Sequence, residues 1–215
     1  AHPLEMSYEN VKKHLSPLLA GTIPVVAGFI AQNEMGIITT LGRGGSDFTA
    51  SIIGASINAD EIWLWKEVHG IMTTDPKIVP EARPLTMISY IEAMEMSFFG
   101  AKVLHPKAIE PAIKHGIPVR VKNTFEPDHP GTLISKDYIG EDSKVEIISG
   151  TDKVMAIEIH DPLMVGQVGF DLMVMQVFQK FNISYILKAT NANSITQVIW
   201  ESDYCDSLFN ELKER

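Results

Sequence analysis

The sequence has little that is typical of exported, membrane-spanning or disulfide-stabilised proteins. Cys205 is the only cysteine among 215 residues, which excludes an intrachain disulfide and a cysteine-based metal cluster. No apolar run reaches the roughly 18 to 20 residues that a membrane span requires. The chain does not open with Met, and its first residues lack the basic and apolar regions of a secretory signal. We interpret it as a soluble, cytoplasmic fragment of a longer protein.

Positive charge is also scarce. The chain carries 18 Lys and Arg against 27 Asp and Glu, a formal net charge of -9. Clustered basic residues supply the affinity for a phosphate backbone, so this balance argues against nucleic-acid binding, although a few amides and cations could still hold ATP. The seven histidines show no HxxxH-like spacing, and we expect no metal bound by the protein itself.

Strand-like and helical segments alternate over the first 140 residues, which predicts a layered α/β sheet. The run Ile62-Trp63-Leu64-Trp65 is fully apolar, as expected of a strand covered on both faces. The other predicted strands are 23–30, 36–41 and 117–121, and predicted helices begin at Ser46 or Asp47, at the Ser89–Glu92 capping box and at Pro106.

A second region begins after the polar stretch near residues 135–143. We place the domain boundary between residues 140 and 141. Strand, helix, strand, strand and helix are predicted in that order, at 154–160, 168–181, 183–189, 194–201 and 203–213. This βαββα order is a ferredoxin-like split βαβ unit without its last strand, and its uncovered sheet edge predicts self-association.

The most informative segment is the glycine-rich loop at residues 41–50, LGRGGSDFTA. Glycines between a strand and a helix allow backbone amides to approach a ligand, and the helix N-terminus behind them favours an anion. Arg43 can make a two-pronged contact with a carboxylate or a phosphate. A tight strand-to-helix turn would also use these glycines, but the adjacent Arg43, Ser46 and Asp47 favour a binding site.

Two further segments carry cations that could neutralise phosphate charge. Lys66 and Lys77 lie in residues 65–77, WKEVHGIMTTDPK, which follow a predicted buried strand, where open α/β sheets bind ligands. Lys102 lies between Gly100 and Pro106, on a short constrained segment. A solvated surface loop is the alternative for the first segment. The methionines and phenylalanine at 94, 96 and 98 are interpreted as core, and His105 as a structural hydrogen-bonding residue.

Four segments in register resemble the aspartate kinases: LGRGGSDFTA (41–50), WKEVHGIMTTDP (65–76), FGAKVLHP (99–106) and IPVRVKN (117–123). The resemblance runs from about Pro24 to Ile134. It implies a fold of the amino-acid-kinase, carbamate-kinase-like type and transfer of a phosphoryl group from ATP, carried with Mg²⁺, to the side-chain carboxylate of L-aspartate in lysine, threonine and methionine biosynthesis. Acetylglutamate, glutamate and uridylate kinases share that fold, but FGAKVLHP and the second region favour aspartate kinase.

The resemblance also implies site residues. Arg43 and Asp47 would be catalytic, and Arg43, Gly45 and Ser46 would bind aspartate. The ATP site would be formed by Lys66, Glu67, Met72, Lys77, Lys102 and Val103. The sequence differs from the residues that are frequent in the family at three positions, His69, Met72 and Lys77. The family's Lys-Phe-Gly-Gly-Thr segment is not in this sequence, so we expect the isolated chain to be inactive.

Residues 145–215 resemble an ACT domain, a module that pairs side by side and binds an amino acid. This implies a homodimer and an effector, with lysine and threonine as possibilities, although Ile186 stands where lysine-sensitive members often have Asp. The implied effector-binding residues are Met164, Gly166, Val168, Gly169, Asn191, Asn193 and Ser194. Two alternatives stay open: an ACT-like module used only for dimerisation, and a non-catalytic amino-acid-binding fragment.

Overall fold

The computed structural model describes residues 3–98, 103–136, 138 and 145–214. The chain forms two compact units, Ala1–Gly150 and Thr151–Arg215, which we call the first and second units. Among the described residues, no helix is both long enough and apolar enough to cross a membrane. The expected domain boundary at residues 140–141 lies outside the described residues.

The first unit is built on a four-stranded sheet with helices between its strands. Its elements are α1 (Glu5–Leu15), β1 (Ile30–Gln32), β2 (Ile38–Thr40), α2 (Gly45–Ile57), β3 (Ile62–Lys66), β4 (Met87–Ser89), α3 (Tyr90–Phe98), α4 (Glu110–His115), β5 (Val119–Asn123) and β6 (Thr132–Ser135). The strand order is β3-β5-β6-β4. Strands β3 and β5 are parallel, as are β4 and β6, whereas β5 and β6 are antiparallel. The layered α/β class is therefore confirmed, with a mixed sheet.

Only one face of β3 is buried. Ile62 and Leu64 point into the main core, which also contains side chains from α2, α3 and α4. Trp63 and Trp65 lie on the other face and are 52% and 44% exposed. The expectation that both faces are covered is therefore wrong for the described residues. The ammonium group of Lys122 lies over both indole rings, at 4.7 and 5.3 Å from their centroids.

The strand expected at residues 23–30 is also largely absent. Strand β1 begins only at Ile30 and pairs with β2 as a short antiparallel hairpin. Ile23 and Val25 are 92% and 96% exposed, and Phe29 has a positive φ of 73° that breaks the extended path. β-Branched residues favour extended backbone, but a strand needs a hydrogen-bonding neighbour, which the described residues do not provide here.

Some helix termini follow the expected local chemistry, and others do not. At the start of α3, Ser89 and Glu92 make the expected capping box: the Ser89 N–H donates to Glu92 Oε2, and the Glu92 N–H donates to Ser89 Oγ. Gly116 ends α4 in the left-handed conformation. The expected side-chain cap of α2 is wrong, because Gly44 is its N-cap, with φ of 71° and no side-chain hydrogen bond.

The second unit follows the expected βαββα order. Its elements are β7 (Val154–His160), α5 (Phe170–Lys180), β8 (Leu187–Thr190), β9 (Ser194–Trp200) and α6 (Asp206–Glu214). Strand β9 lies between β7 and β8 and is antiparallel to both, the arrangement of a split βαβ unit. Its core centres on Phe178, Ile195, Ile199 and Leu208, none more than 2% exposed.

Candidate functional site

The glycine-rich loop forms the wall of an open cavity of about 490 Å³ in the first unit. The cavity lies where the loop enters α2, beside the carboxyl end of β3. Two left-handed glycines, Gly42 and Gly44, turn the chain there, with φ of 82° and 71°. Its lining residues are Phe29, Gly42, Arg43, Gly44, Gly45, Ser46, Asp47 and Lys66. All the residues predicted to bind aspartate, and both predicted catalytic residues, are therefore brought together in one concavity.

Phe29 lines this cavity and contacts the first turn of α2. Its backbone N–H donates to Thr49 Oγ1 at 3.1 Å, and the Thr49 hydroxyl donates to the Gly45 carbonyl oxygen at 2.9 Å. A Cβ atom at Gly45 would lie 2.8 Å from Cδ2 of Phe29. Glycine at this position therefore allows the first turn of α2 to contact the preceding segment directly.

Lys66 and Asp47 form an ion pair at the back of the cavity. The Lys66 ammonium group donates to both carboxylate oxygens of Asp47, at 2.6 and 2.8 Å, and both side chains are mostly buried. Asp47 is in the first turn of α2 and Lys66 is the last residue of β3, so the pair joins two separately predicted segments. A partly desolvated pair of this kind holds the helix start against the strand end.

Arg43 and Ser46 are exposed at the mouth of the cavity. Within the described residues, neither side chain forms a hydrogen bond or an ion pair. A guanidinium group and a hydroxyl group beside a helix N-terminus together match the acceptor oxygens of a carboxylate or a phosphate. The arrangement is therefore suited to an anionic ligand that supplies these partners.

His105 supports the loop from below. Its Cβ atom would lie 2.8 Å from a Cβ at Gly44, and its Nδ1 accepts a hydrogen bond from the Lys107 N–H, as expected of a structural histidine. Burial, followed by the nearby charges of Arg43 and Lys107, holds the pKa of His105 below its ordinary value of 6.5. The ring is therefore neutral near pH 7 and adds no positive charge to the site.

The residues predicted for the ATP site are less closely grouped. Lys66 lines the cavity, but Glu67, Met72, Lys77 and Val103 do not. Glu67 and Lys77 are exposed on the chain after β3, and Val103 packs against the main core. Lys102 lies outside the described residues. The ATP-binding roles of these residues therefore stay predictions.

A second cavity, of about 570 Å³, lies within the second unit, between the start of α5 and strand β8. Of the predicted effector residues, Met164, Gly166 and Asn191 line it. Val168 and Gly169 precede α5 without lining the cavity, and the backbone N–H groups of Asn193 and Ser194 donate to Asn191 Oδ1. The last two residues therefore shape the turn that carries Asn191.

Two charged residues of this cavity were not predicted. The Lys188 ammonium group donates a hydrogen bond to Oδ1 of Asp171 in the cavity lining. The available signal was the alternation of side chains along β8, which places Lys188 and Thr190 on one face of the strand. Asp171, in the first turn of α5, could have been predicted as their neighbour only from the tertiary fold.

Comparison with known proteins gives one family. The sequence profile of the amino acid kinase family matches residues 3–123. Aspartokinase 1, chloroplastic, from Arabidopsis thaliana is 40% identical over 196 residues, covering 90% of this chain and 34% of that protein.

Two solved structures are similar over nearly the whole chain. Clostridium acetobutylicum aspartate kinase, described as an allosteric enzyme, matches with a TM-score of 0.86 and 34% identity, covering 96% of this chain and 48% of that one. E. coli aspartokinase III in complex with aspartate and ADP matches with a TM-score of 0.78 and 31% identity, over the same shares of 96% and 48%. The chain thus spans 34% of that curated relative and 48% of each solved chain.

Proposed function

This chain belongs to the amino acid kinase family, and from that premise we propose that it is part of an aspartate kinase. The reaction would transfer the γ-phosphoryl group of ATP to the side-chain carboxylate of L-aspartate, giving 4-phospho-L-aspartate. The observation that carries the proposal is the cavity lined by the glycine-rich loop, with Arg43 and Ser46 facing solvent beside the Lys66–Asp47 pair. The similarity to aspartokinases over at least 90% of the chain supports the choice of substrate.

The chemistry requires little from the protein beyond positioning and charge. A carboxylate oxygen of aspartate forms a bond to the γ-phosphorus while the bond from that phosphorus to the bridging oxygen of the leaving ADP breaks. The carboxylate is already ionised at neutral pH, so no general base is needed. In this proposal Arg43 and Ser46 hold the aspartate, and the backbone of Gly45, which lines the same cavity, contacts it.

The residues of the cavity fit a nucleotide phosphate near Lys66. Its ammonium group and the Arg43 guanidinium are the cations among the described residues that line the cavity, and Asp47 holds the ammonium group in place. The described residues contain no group of three or more His, Cys, Asp or Glu side chains that could hold a metal ion. In this proposal Mg²⁺ enters with ATP, where it neutralises phosphate charge.

The substrate assignment is tested by titrating the full-length protein that contains this chain with L-aspartate and with MgATP and by measuring its ADP formation. Arg43→Met should weaken aspartate binding by about 10- to 100-fold, because a charged hydrogen-bond donor is lost, and should change MgATP binding little. Arg83→Met is the matched control, since Arg83 is exposed and does not line the cavity. Equal aspartate affinity in both variants would exclude the proposed role of Arg43.

The role of Lys66 needs a separate comparison. Lys66→Met and Asp47→Asn both break the ion pair, so a purely structural Lys66 predicts similar losses of MgATP affinity in the two variants. If Lys66 also contacts phosphate, Lys66→Met should weaken MgATP binding by a further factor of about 10. A double-mutant cycle separates the two contributions, because the variants couple only through their shared contact.

The second unit supports a further part of the proposal. Its split βαβ topology and its cavity suit an ACT-type domain that senses an amino acid and pairs with a second copy to give a homodimer. Light scattering at micromolar concentration tests the dimer, and a mass of one chain would contradict it.

Cytoplasmic localisation is proposed from the single cysteine alone, and imaging of the tagged protein tests it.

An amino-acid-binding, non-catalytic role is the second candidate, favoured by the cavity of the second unit. The two candidates make different predictions for ligand binding by the first unit. In the full-length protein that contains this chain, binding of an effector amino acid without binding of MgATP or aspartate would support the second candidate and contradict the first.

A further inference from the structure

The loop that follows β3 runs beside the turn that joins β5 to β6. We call these segments the β3 loop (67–72) and the β5–β6 turn (124–131). The β3 loop carries two of the residues predicted to bind ATP, and it begins directly after Lys66, which lines the first cavity. The Thr124 N–H donates to the Lys66 carbonyl oxygen at 2.8 Å. The turn therefore holds the backbone of the residue that is proposed to meet the nucleotide phosphate.

Thr132, the first residue of β6, fixes the far end of the β3 loop. Its hydroxyl oxygen accepts a hydrogen bond from the Ile71 N–H at 2.8 Å, and its hydroxyl group donates to the Leu85 carbonyl oxygen at 2.5 Å. Gly70 lies so close to Thr132 that a Cβ atom at Gly70 would collide with this hydroxyl group. Thr132 and Ile71 are both 0% exposed, so loss of the hydroxyl would leave a buried N–H group without its acceptor.

Between these two ends, the side chain of His69 contacts the β5–β6 turn. Its Nε2 atom lies 2.9 Å from Oε1 of Glu126, and its ring centroid lies 5.0 Å from that of His129. The ring of His129 is oriented in turn by the Gly131 N–H, which donates to its Nδ1 at 3.1 Å. The Nε2–H group of His69 can donate to the carboxylate in either protonation state of the imidazole. The contact therefore does not require a charged histidine.

We propose that the β5–β6 turn positions the β3 loop for MgATP, and that His69, Glu126 and Thr132 are positioning residues of the kinase reaction. The inference rests on the proposed aspartate kinase function and extends it to residues that line neither of the two described cavities. The contacts lie at the start, the middle and the end of the loop, so they restrict its backbone along its whole length. A loop that is ordered before its ligand arrives loses less conformational entropy on binding.

The exposure of the contacts separates positioning from folding stability. The side chains of His69 and Glu126 are 42% and 60% exposed, and a contact between such exposed groups adds little to the stability of a fold. A change in MgATP affinity after its removal would therefore report the position of the loop. Thr132 is buried, so its removal should affect both stability and affinity, and the two effects must be measured separately.

Steady-state kinetics of the full-length protein that contains this chain tests the role of His69. His69→Leu should raise the KM for MgATP by about 2- to 5-fold, with little change in kcat or in the KM for aspartate. His69→Gln keeps an N–H donor and should restore most of the parent value. His14→Leu is the matched control, because His14 is an exposed histidine of α1. An unchanged KM for MgATP in His69→Leu would overturn the role of His69.

A double-mutant cycle tests whether His69 and Glu126 act through their contact. Glu126→Leu should raise the KM for MgATP by the same factor as His69→Leu, and the double variant should be no worse than either single variant. Increases that multiply in the double variant would show that the two residues act independently and would contradict the contact as the cause.

Thr132→Val tests the far end of the loop. Valine keeps the shape of the side chain but removes the acceptor of the Ile71 N–H, so the KM for MgATP should rise by about 10-fold, and Thr132→Ser should restore it. Thermal unfolding is measured on the same variants. A lower Tm in Thr132→Val with an unchanged KM for MgATP would show that the turn serves stability alone and would overturn the inference.

The parent protein separates failure of this inference from failure of the kinase proposal. Aspartate-dependent ADP formation by the parent, with the same KM for MgATP in every variant, would overturn the inference and leave the kinase proposal standing. A parent that neither binds MgATP nor forms ADP would overturn both.

Discussion

Replacing Gly44 by alanine should destabilise the first unit more than the same change at Gly116 or Gly42, two left-handed glycines whose Cβ position has no neighbour within 4 Å. Gly44 has φ of 71° and is the N-cap of α2, and a Cβ atom there would lie 2.8 Å from Cβ of His105. Gly116 has a similar φ of 66°, and nothing lies within 4 Å of its Cβ position. The two positions share the backbone strain and differ in the steric contact.

The magnitude follows from these two contributions. A left-handed conformation costs an L-residue about 1 to 2 kcal/mol relative to glycine. Both variants should lose this amount of the free energy of unfolding. The contact at Gly44 adds the cost of forcing an atom into a packed region, about 1 to 3 kcal/mol. His105 has little freedom to withdraw, since it caps the 3₁₀ turn that begins at Pro106. We therefore expect about 1 to 2 kcal/mol for Gly116→Ala and about 2 to 5 kcal/mol for Gly44→Ala.

Urea unfolding followed by tryptophan fluorescence measures the difference. Trp63 and Trp65 report on the first unit, and a Trp200→Phe background removes the one tryptophan of the second unit. The free energy of unfolding should be lower for Gly44→Ala than for Gly116→Ala by about 1 to 3 kcal/mol. Equal losses would show that His105 does not pack against the loop as described, and the reasoning would be refuted.

Gly42→Ala separates the steric contact from a general effect on the loop. Gly42 has φ of 82° and lines the same cavity, but nothing lies within 4 Å of its Cβ position. Its loss of stability should therefore match that of Gly116→Ala rather than that of Gly44→Ala. A large loss at Gly42 would indicate that the whole loop, and not one contact, sets the cost.

Three further outcomes are expected. Gly131→Ala should reduce the free energy of unfolding by more than about 3 kcal/mol in the same urea assay, because its Cβ would lie 2.0 Å from the Val121 carbonyl oxygen at a φ of 70°. Glu61→Gln, which removes the ion pair with Arg120, should cost about 1 kcal/mol at neutral pH, and a loss below about 0.3 kcal/mol would contradict a structural role. Burial and nearby positive charge lower the pKa of His105, so the unfolded chain binds a proton near pH 6.5 before the folded chain does. Stability should therefore fall as pH drops below about 6.5, and the decline should be shallower in His105→Asn across urea titrations from about pH 7.5 to about pH 5.5.

Local signals in the sequence predicted several elements correctly. The Ser89–Glu92 pair marks the start of α3 because both capping hydrogen bonds need only residues three positions apart. Strand β7 coincides with its predicted range of 154–160. In such cases the information lies within a few neighbouring residues, and tertiary contacts do not override it.

Features that depend on distant partners were not predictable in the same way. The exposed face of β3 follows from which helices cover the sheet, and the apolar run of Trp63 and Trp65 does not reveal this. The Lys66–Asp47 contact joins residues 19 positions apart through the packing of α2 on β3. A sequence pattern named both residues, but only the fold shows that they neutralise one another.

The two cavities differ in charge, and the difference matches the ligands proposed for each. In the first unit, Arg43 and Lys66 outnumber the single carboxylate of Asp47, so the lining has one positive charge in excess. In the second unit, Lys188 and Asp171 balance. A lining with excess positive charge favours ligands with net negative charge, such as aspartate and a nucleotide phosphate, whereas a balanced pair favours a neutral zwitterion. We therefore expect the first cavity to prefer an anionic ligand and the second cavity to prefer a neutral one.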